Sequence, residues 1–124
     1  MAFIYYNPNP LGNDTGDCVI RAISKALNQT WDKTYWDLCD QGYKMADWGD
    51  SNKVWDSYLR GCGFKRKVIP NTCPDCYTIK DFCNEHPYGI YILATGNHLV
   101  ATIHGDYFDS FNSGSETPIY FYER

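Results

Sequence analysis

Apolar residues in the first two thirds of the chain recur every three or four positions, the spacing of one buried helix face. The clearest stripe follows Asp17, a good N-cap residue whose carboxylate can accept hydrogen bonds from the free N–H groups of the first turn. Further stripes begin after Thr30, Ser51 and Thr78, each of which can also cap a helix. The pattern predicts helices over residues 17–28, 31–39, 51–61 and 78–86, with a loop over 41–50.

From Gly89 onward the apolar period changes to two, which is typical of strands with one buried face. The predicted strands are Phe3–Tyr6, Phe64–Ile69, Ile90–Ala94, His98–His104, Tyr107–Phe111 and Pro118–Tyr122. Helices followed by a run of antiparallel strands form the α+β pattern. We therefore expect a single domain over residues 1–124, in which an N-terminal helical half packs on a C-terminal antiparallel sheet with a cleft between them.

Composition and charge narrow the range of functions. The net charge of −4 leaves no basic surplus to neutralise phosphates, so we expect no nucleic-acid partner. No apolar run reaches the length of a membrane span, and the first residues lack the basic and apolar regions of a secretory signal. We expect a cytoplasmic protein without a membrane partner. Its six cysteines are then expected to be reduced and open to chemistry or metal binding.

Cys18 stands at the first turn of the first predicted helix. The helix dipole and the unpaired amides at that end favour a thiolate over a thiol. The alternative is a buried structural cysteine, the more common situation for a free thiol.

His98 opens a predicted strand directly after the Gly96–Asn97 turn. An imidazole facing a helix-start thiol is what a thiol hydrolase needs, because it holds the thiolate as an ion pair and later protonates the leaving group.

A third residue must orient the imidazole through its other ring nitrogen, and both Asn112 and Asp109 are candidates. If residues 104–106 form the hairpin loop, the two residue numbers of every cross-strand pair add up to 210, and Asn112 lies opposite His98. If the loop has two residues and the numbers add up to 211, Asn112 is diagonal to His98. Asp109 then lies several strand steps away. Reach therefore favours Asn112, with Asp109 as the rival because a carboxylate is the stronger orienter.

Two segments carry a resemblance to a known family: Asp17-Cys18-Val19-Ile20-Arg21-Ala22, and the predicted hairpin that runs from Gly96-Asn97-His98 to Phe111-Asn112-Ser113. Together they resemble the papain-like cysteine peptidases, and in minimal plan the chain is similar to small bacterial and phage members and to the leader peptidases of bacteriocin exporters. The resemblance implies a papain-like domain that cleaves a protein or peptide substrate through an acyl-enzyme, without a cofactor. Transglutaminase-like enzymes and peptidoglycan amidases share the order of Cys and His, so peptide, isopeptide and side-chain amide bonds all stay open.

The chain departs from the family at the oxyanion hole. The family carries a Gln about six residues before the nucleophile, where this sequence has Gly12. The neighbouring Asn13, together with the Cys18 backbone N–H, is the candidate donor pair. Without a donor, the same fold would be catalytically inert and serve as a protein-binding module.

The remaining cysteines suggest a metal. Cys73 and Cys76 form a Cys-x-x-Cys pair, and Cys62 and Cys83 flank it, so these four are weak candidates for a structural zinc site. Plain reduced thiols are the default interpretation.

His86 and His104 are expected to lie outside the catalytic site, and Arg21 is interpreted as an ion-pair partner of Asp14 or Asp17. The Trp and Tyr residues of the second and third helices are predicted to be core.

Overall fold

The computed structural model describes residues 2–71 and 74–124. Within them the chain forms four helices and six strands. The helices are α1 (Cys18–Leu27), α2 (Trp31–Met45), α3 (Asn52–Gly61) and α4 (Ile79–Glu85), and the strands are β1 (Phe3–Tyr5), β2 (Lys65–Val68), β3 (Ile90–Ala94), β4 (Leu99–Ile103), β5 (Asp106–Asp109) and β6 (Tyr120–Glu123). The α+β class is therefore confirmed. Among the described helices, none is both long enough and apolar enough to cross a membrane.

The strands form one mixed sheet in the order β1-β5-β4-β3-β6-β2. β1 pairs in parallel with β5, and the other four pairings are antiparallel. The prediction of a purely antiparallel C-terminal sheet was wrong in this respect. The first strand of the chain lies beside the strand that ends at Asp109, so the N-terminal segment covers the β5 edge of the sheet.

Alternate residues of the central strands face two different layers of helix. Ile92 of β3 and Ala101 of β4 pack in one cluster with α1, α2 and α3. Leu93 and Val100, their neighbours along the strands, pack in a second cluster with α4. Both faces of the sheet centre are covered, which explains why residues 92–94 of β3 and 99–102 of β4 are buried.

The predicted capping residues occupy the N-cap positions of all four described helices, but only Thr30 and Thr78 cap with their side chains, and Asp17 and Ser51 do not. Thr30 accepts a hydrogen bond from the Lys33 backbone N–H, and Thr78 and Asp81 form a reciprocal capping box. Asp17 occupies the N-cap position of α1 but makes no side-chain cap. The prediction that its carboxylate caps the helix was wrong, because that carboxylate is bonded to other side chains.

The second helix is longer than predicted, since it continues to Met45 through the stretch expected to be a loop. Gly42, which suggested a break, lies instead where the helix touches the following loop. A Cβ built at this position would come within 2.7 Å of the Asp47 carbonyl oxygen. The glycine permits this close approach of two backbone segments and does not end the helix.

The β4–β5 hairpin closes through a two-residue turn, His104–Gly105, with Ile103 paired to Asp106. Both turn residues have positive φ, 49° for His104 and 81° for Gly105. Two consecutive positive values are the mark of the turn type whose twist matches that of antiparallel strands. Of the two loops considered from the sequence, the three-residue one is one residue too long, and the two-residue one with a sum of 211 lies one residue too far along the chain.

Candidate active site

Cys18 and His98 come together at one end of the sheet. Cys18 is the first residue of α1, the helix that packs across β4, and His98 immediately precedes β4. Cys18, His98 and Leu99 line one cavity, and the imidazole and the Leu99 backbone lie close enough to the sulfur to lower the pKa of the thiol. The predicted pair is thus brought together by the packing of α1 on the sheet.

The residue that holds the imidazole from the other side is Asp109. Its Oδ2 lies 2.6 Å from His98 Nε2, and both side chains are buried. Asn112 instead accepts a hydrogen bond from the Tyr107 hydroxyl at 2.7 Å and is exposed. The preference for Asn112 as the orienting residue is contradicted by these contacts, and the rival carboxylate occupies the position.

The reason for this error is the register of the hairpin. The numbers of paired residues sum to 209, as in Ala101 with Phe108, rather than to 210 or 211. A shift of one residue moves every side chain to the opposite face. If the observed pairing continues by one step, Asp109 lies opposite residue 100. It is then on the same face of the sheet as His98 and diagonal to it, and the imidazole can reach it. By the same count Asn112 is opposite residue 97, on the other face.

The Asp109 carboxylate is saturated with donors and has no exposed surface. Ser113 donates its hydroxyl to Oδ2 at 2.6 Å, and the Ser110 backbone N–H donates to Oδ1 at 2.8 Å. Arg21 completes the set, with its guanidinium 3.1 Å from Oδ1. A buried carboxylate with four donors stays ionised, so His98 Nε2 must carry the proton that it shares.

Arg21 also joins Asp109 to the start of α1. A second nitrogen of the guanidinium lies 3.0 Å from Asp17 Oδ1, and this side chain is only about 5% exposed. The expected pairing with Asp17 is confirmed, but the link to Asp109 was not foreseen. The signal available in the sequence was a charged residue inside the buried stripe of a helix, which requires partners in the core.

The charges of the site favour a thiolate and an imidazolium. Burial raises the pKa of the Cys18 thiol, but the hydrogen bonds from His98 and the Leu99 backbone, with the charges of His98 and Arg21, outweigh it, and the net pKa is lowered. Burial lowers the pKa of His98, whereas its contacts with Asp109 and Cys18 raise it, to about 9. Burial also raises the pKa of Asp109, yet its donors hold it below the ordinary value.

A cavity of about 210 Å³ opens over the pair. Its walls come from the segment before α1, the 95–99 turn and the start of α3, and its residues include Gly16, Cys18, Asp50, Asn52, Trp55, Asn97, His98 and Tyr120. Phe111 packs against the imidazole of His98, with 5.0 Å between ring centroids. The cysteine is half-buried, so a small electrophilic group can reach it from this cavity.

Asn13, the expected oxyanion donor, is not among the residues that line this cavity. It is exposed in the loop before α1, where its backbone N–H donates to Asn9 and its carbonyl accepts from Asn7. The expectation that Asn13 faces the nucleophile is contradicted. Asn52 lines the cavity instead, and its Oδ1 accepts from the Trp55 indole N–H at 3.1 Å. That bond leaves the Nδ2 group of Asn52 as a donor.

The zinc candidates are dispersed. Cys62 packs against the cluster of α1, α2 and α3, whereas Cys83 is buried in the cluster of α4 on the other side of the sheet. Cys76 is exposed, and Cys73 lies outside the described residues. Within 2–71 and 74–124, no group of three or more His, Cys, Asp or Glu side chains is placed to hold a metal ion. The structure thus does not bring Cys62 and Cys83 into one site.

The other two histidines lie away from the cysteine. The His86 ring stacks on Phe82 at the end of α4, and its Nδ1 is 2.9 Å from the Phe82 carbonyl. His104 occupies the hairpin turn and accepts from the Gly89 backbone N–H. His98 is therefore the histidine that faces Cys18.

Comparison of the chain with protein-family models, with curated proteins and with solved structures gave no match. The function of the protein is therefore inferred from the geometry of Cys18, His98 and Asp109 and from the cavity above them.

Proposed function

We propose that the protein is a thiol hydrolase that cleaves amide bonds, a cysteine peptidase with the triad Cys18, His98 and Asp109. The single observation that carries the proposal is a helix-start thiol in the wall of the same cavity as an imidazole whose Nε2 is hydrogen-bonded to a buried carboxylate. Titratable groups with perturbed pKa values that meet in a cleft are typical of catalytic sites. We also propose that the architecture is papain-like, with the nucleophile on a helix packed against the sheet that carries the histidine and the acid.

The reaction begins with the ion pair. The Cys18 thiolate attacks the carbonyl carbon of the substrate, and the carbonyl oxygen becomes an oxyanion. The imidazolium of His98 then donates its proton to the leaving nitrogen as the C–N bond breaks, which leaves a thioester on Cys18 and a neutral imidazole. In the second half, His98 takes a proton from water, the hydroxide attacks the thioester, and the thiol is released.

Asp109 accepts a hydrogen bond from Nε2 and so holds the imidazole in the tautomer that carries a proton on this nitrogen. The other ring nitrogen is then left for the sulfur. Its negative charge also stabilises the imidazolium. Arg21 and Ser113 fix the carboxylate in turn, and they act as positioning residues behind the reacting groups.

We assign the oxyanion donors to the backbone N–H of Cys18 and to Nδ2 of Asn52. The first N–H groups of a helix have no intrahelical acceptor, so that of Cys18 is free to donate. The Asn52 amide lines the same cavity and is oriented by the Trp55 indole. Such donors stabilise the charge that develops in the transition state.

The proposal is tested by trapping with a peptidyl vinyl sulfone, which alkylates an activated active-site thiolate. Intact-mass analysis should show one adduct, and peptide mapping should place it on Cys18. The His98→Gln variant should lose the adduct, whereas His104→Ala should keep it. Adducts on Cys76 or Cys73 with Cys18 unmodified would favour the inert protein-binding module.

A further inference from the structure

We propose that a second cavity, between α1, α2 and residues 48–50, binds an aromatic or large aliphatic side chain on the acyl side of the scissile bond. The inference rests on the proposed function, because it defines which substrates the Cys18 site accepts. The cavity has a volume of about 430 Å³, within the range of ligand-binding pockets.

This apolar cavity adjoins the catalytic one. Gly16, Val19 and Asp50 line both cavities. Gly16 and Val19 lie on either side of Cys18 in sequence, so a chain bound across the thiol passes directly from one cavity into the other. A substrate residue next to the reacting carbonyl therefore has the second cavity within reach.

The chemistry of the triad decides which part of the substrate lies there. His98 protonates the leaving nitrogen, so the leaving group must lie beside the imidazole. His98, Asn97 and Thr95 line the catalytic cavity but not the second one. The leaving group is therefore assigned to the side of the 95–98 turn, and the acyl portion to the side of α2.

The walls of the second cavity are aromatic and in part fixed in place. Trp31 stacks on Tyr35 with 5.1 Å between ring centroids, and its indole N–H donates to Asp17 at 2.9 Å. Leu38 forms the floor from the buried face of α2, and Trp48 stands at the rim with 81% of its surface exposed. The prediction that the aromatic residues of α2 are core is thus wrong for Trp31 and Tyr35, which are only partly covered and line the cavity.

An exposed tryptophan at the rim of an apolar cavity is a feature of binding surfaces more than of inert ones. Burial of an aromatic side chain against these rings would remove apolar area on both partners from water. An aromatic side chain at this subsite should therefore increase the rate of capture over alanine by about 10- to 100-fold.

The test uses two peptidyl vinyl sulfones that differ only in the residue next to the sulfone, phenylalanine or alanine. We expect the phenylalanine reagent to modify Cys18 at least about tenfold faster. The variant Trp48→Ala should reduce this ratio severalfold, whereas Trp36→Ala should leave it unchanged. Trp36 is the matched control because it is 69% exposed on α2 and is not part of the cavity wall.

Iodoacetamide, which needs no subsite, separates the two proposals. If Cys18 reacts with iodoacetamide as an activated thiolate but the two vinyl sulfones modify it at equal rates, the subsite is wrong and the triad stands. If neither vinyl sulfone modifies Cys18, the proposed peptidase function fails and the subsite with it. Equal loss of the ratio in Trp48→Ala and Trp36→Ala would also contradict the subsite. If Cys18 is not activated toward iodoacetamide, the proposed function fails and the subsite with it.

Discussion

At the scale of single residues, the identity of the third member of the proposed triad decides how the proposed chemistry would work. A carboxylate at this position both orients the imidazole and stabilises its positive charge, whereas an amide can only orient it. The buried Asp109, with His98 on one oxygen and Arg21 on the other, provides both effects. The site is thus built to maintain an imidazolium beside Cys18.

Replacement of Asp109 by Asn should remove most of the activity. The amide carries no charge and can present its NH₂ group to the imidazole, which selects the wrong tautomer. We expect a loss of turnover of up to about 10⁴-fold, measured as amide hydrolysis at saturating substrate. Thermal unfolding of the same variant would show whether the loss comes with unfolding.

The matched control is Asn112→Ala, three residues further along the chain. Asn112 bonds to the Tyr107 hydroxyl rather than to His98, so turnover should be close to that of the wild type. Loss of this hydrogen bond should reduce the free energy of unfolding by about 1 kcal/mol. A large loss of turnover in Asn112→Ala with full activity in Asp109→Asn would contradict the assignment.

The oxyanion donor is tested by Asn52→Ala. If Nδ2 of Asn52 stabilises the tetrahedral intermediate, kcat should fall by about 10²- to 10³-fold. Alkylation of Cys18 by iodoacetamide forms no oxyanion, so its rate should not change. Asn13→Ala serves as the control and should leave kcat intact, because Asn13 does not line the catalytic cavity. Equal effects of the two substitutions would count against Asn52.

At the scale of secondary-structure elements, one buried side chain ties the catalytic helix to the sheet. Arg21 on α1 contacts Asp17 at the start of its own helix and Asp109 at the end of β5. These contacts fix the position of α1 along β5, and with it the distance between the nucleophile and its partners. A buried charge with two carboxylate partners is costly to remove, because both partners are then left uncompensated.

Arg21→Met should therefore reduce the free energy of unfolding by about 3 to 5 kcal/mol, measured by urea denaturation. The control is Lys33→Met on α2, which breaks a surface ion pair with Asp37 and should cost about 1 kcal/mol or less. An Arg21→Met variant as stable as the control would show that the buried network does not hold the helix in place.

The elements differ in how far the sequence determines them. Helix starts could be predicted because local residues such as Thr30 and Thr78 supply the caps. The register of the β4–β5 hairpin could not, because it depends on which two residues form the turn. His104 adopts a positive φ that few residues other than glycine favour, which conceals a two-residue turn in the sequence.

At the scale of the whole molecule, the fold class and the Cys–His pair could be predicted from the order of motifs along the chain. The parallel placement of β1 beside β5 could not, since no local pattern states which edge an isolated three-residue strand will join. The aromatic cavity was missed for a related reason. The stripe of Trp31 and Tyr35 has the spacing of a core face, and only tertiary packing leaves part of it uncovered.

The raised pKa of His98 links stability to pH. In the Cys18→Ser variant the thiol no longer titrates, and Asp109 remains to hold the proton on His98. Asp109 and Cys18 together raise the folded pKa of His98 to about 9, and in the variant Asp109 alone should still hold it above the ordinary 6.5, so the folded state binds the proton more tightly than the unfolded state. The stability that this provides is fully present below about pH 6.5 and is lost as the pH rises through the raised folded pKa.

Urea denaturation of Cys18→Ser at pH 6 and pH 9 measures this effect. The double variant Cys18→Ser, His98→Gln removes the His98 contribution and leaves every other titrating group in place. The free energy of unfolding should fall more steeply with pH in the single variant than in the double variant. Parallel pH profiles of the two variants would show that His98 has no raised pKa.

We expect Cys18 to be a thiolate that is stabilised by His98. The pH dependence of Cys18 alkylation measures this ionisation. The rate of iodoacetamide addition, followed at each cysteine by peptide mapping, should show an inflection for Cys18 below the ordinary thiol value of about 8.5. In His98→Gln that inflection should move upward, and the rate at pH 7 should fall by about tenfold or more, whereas His104→Ala should match the wild type. An inflection for Cys18 at or above the ordinary thiol value, unchanged in His98→Gln, would contradict the account.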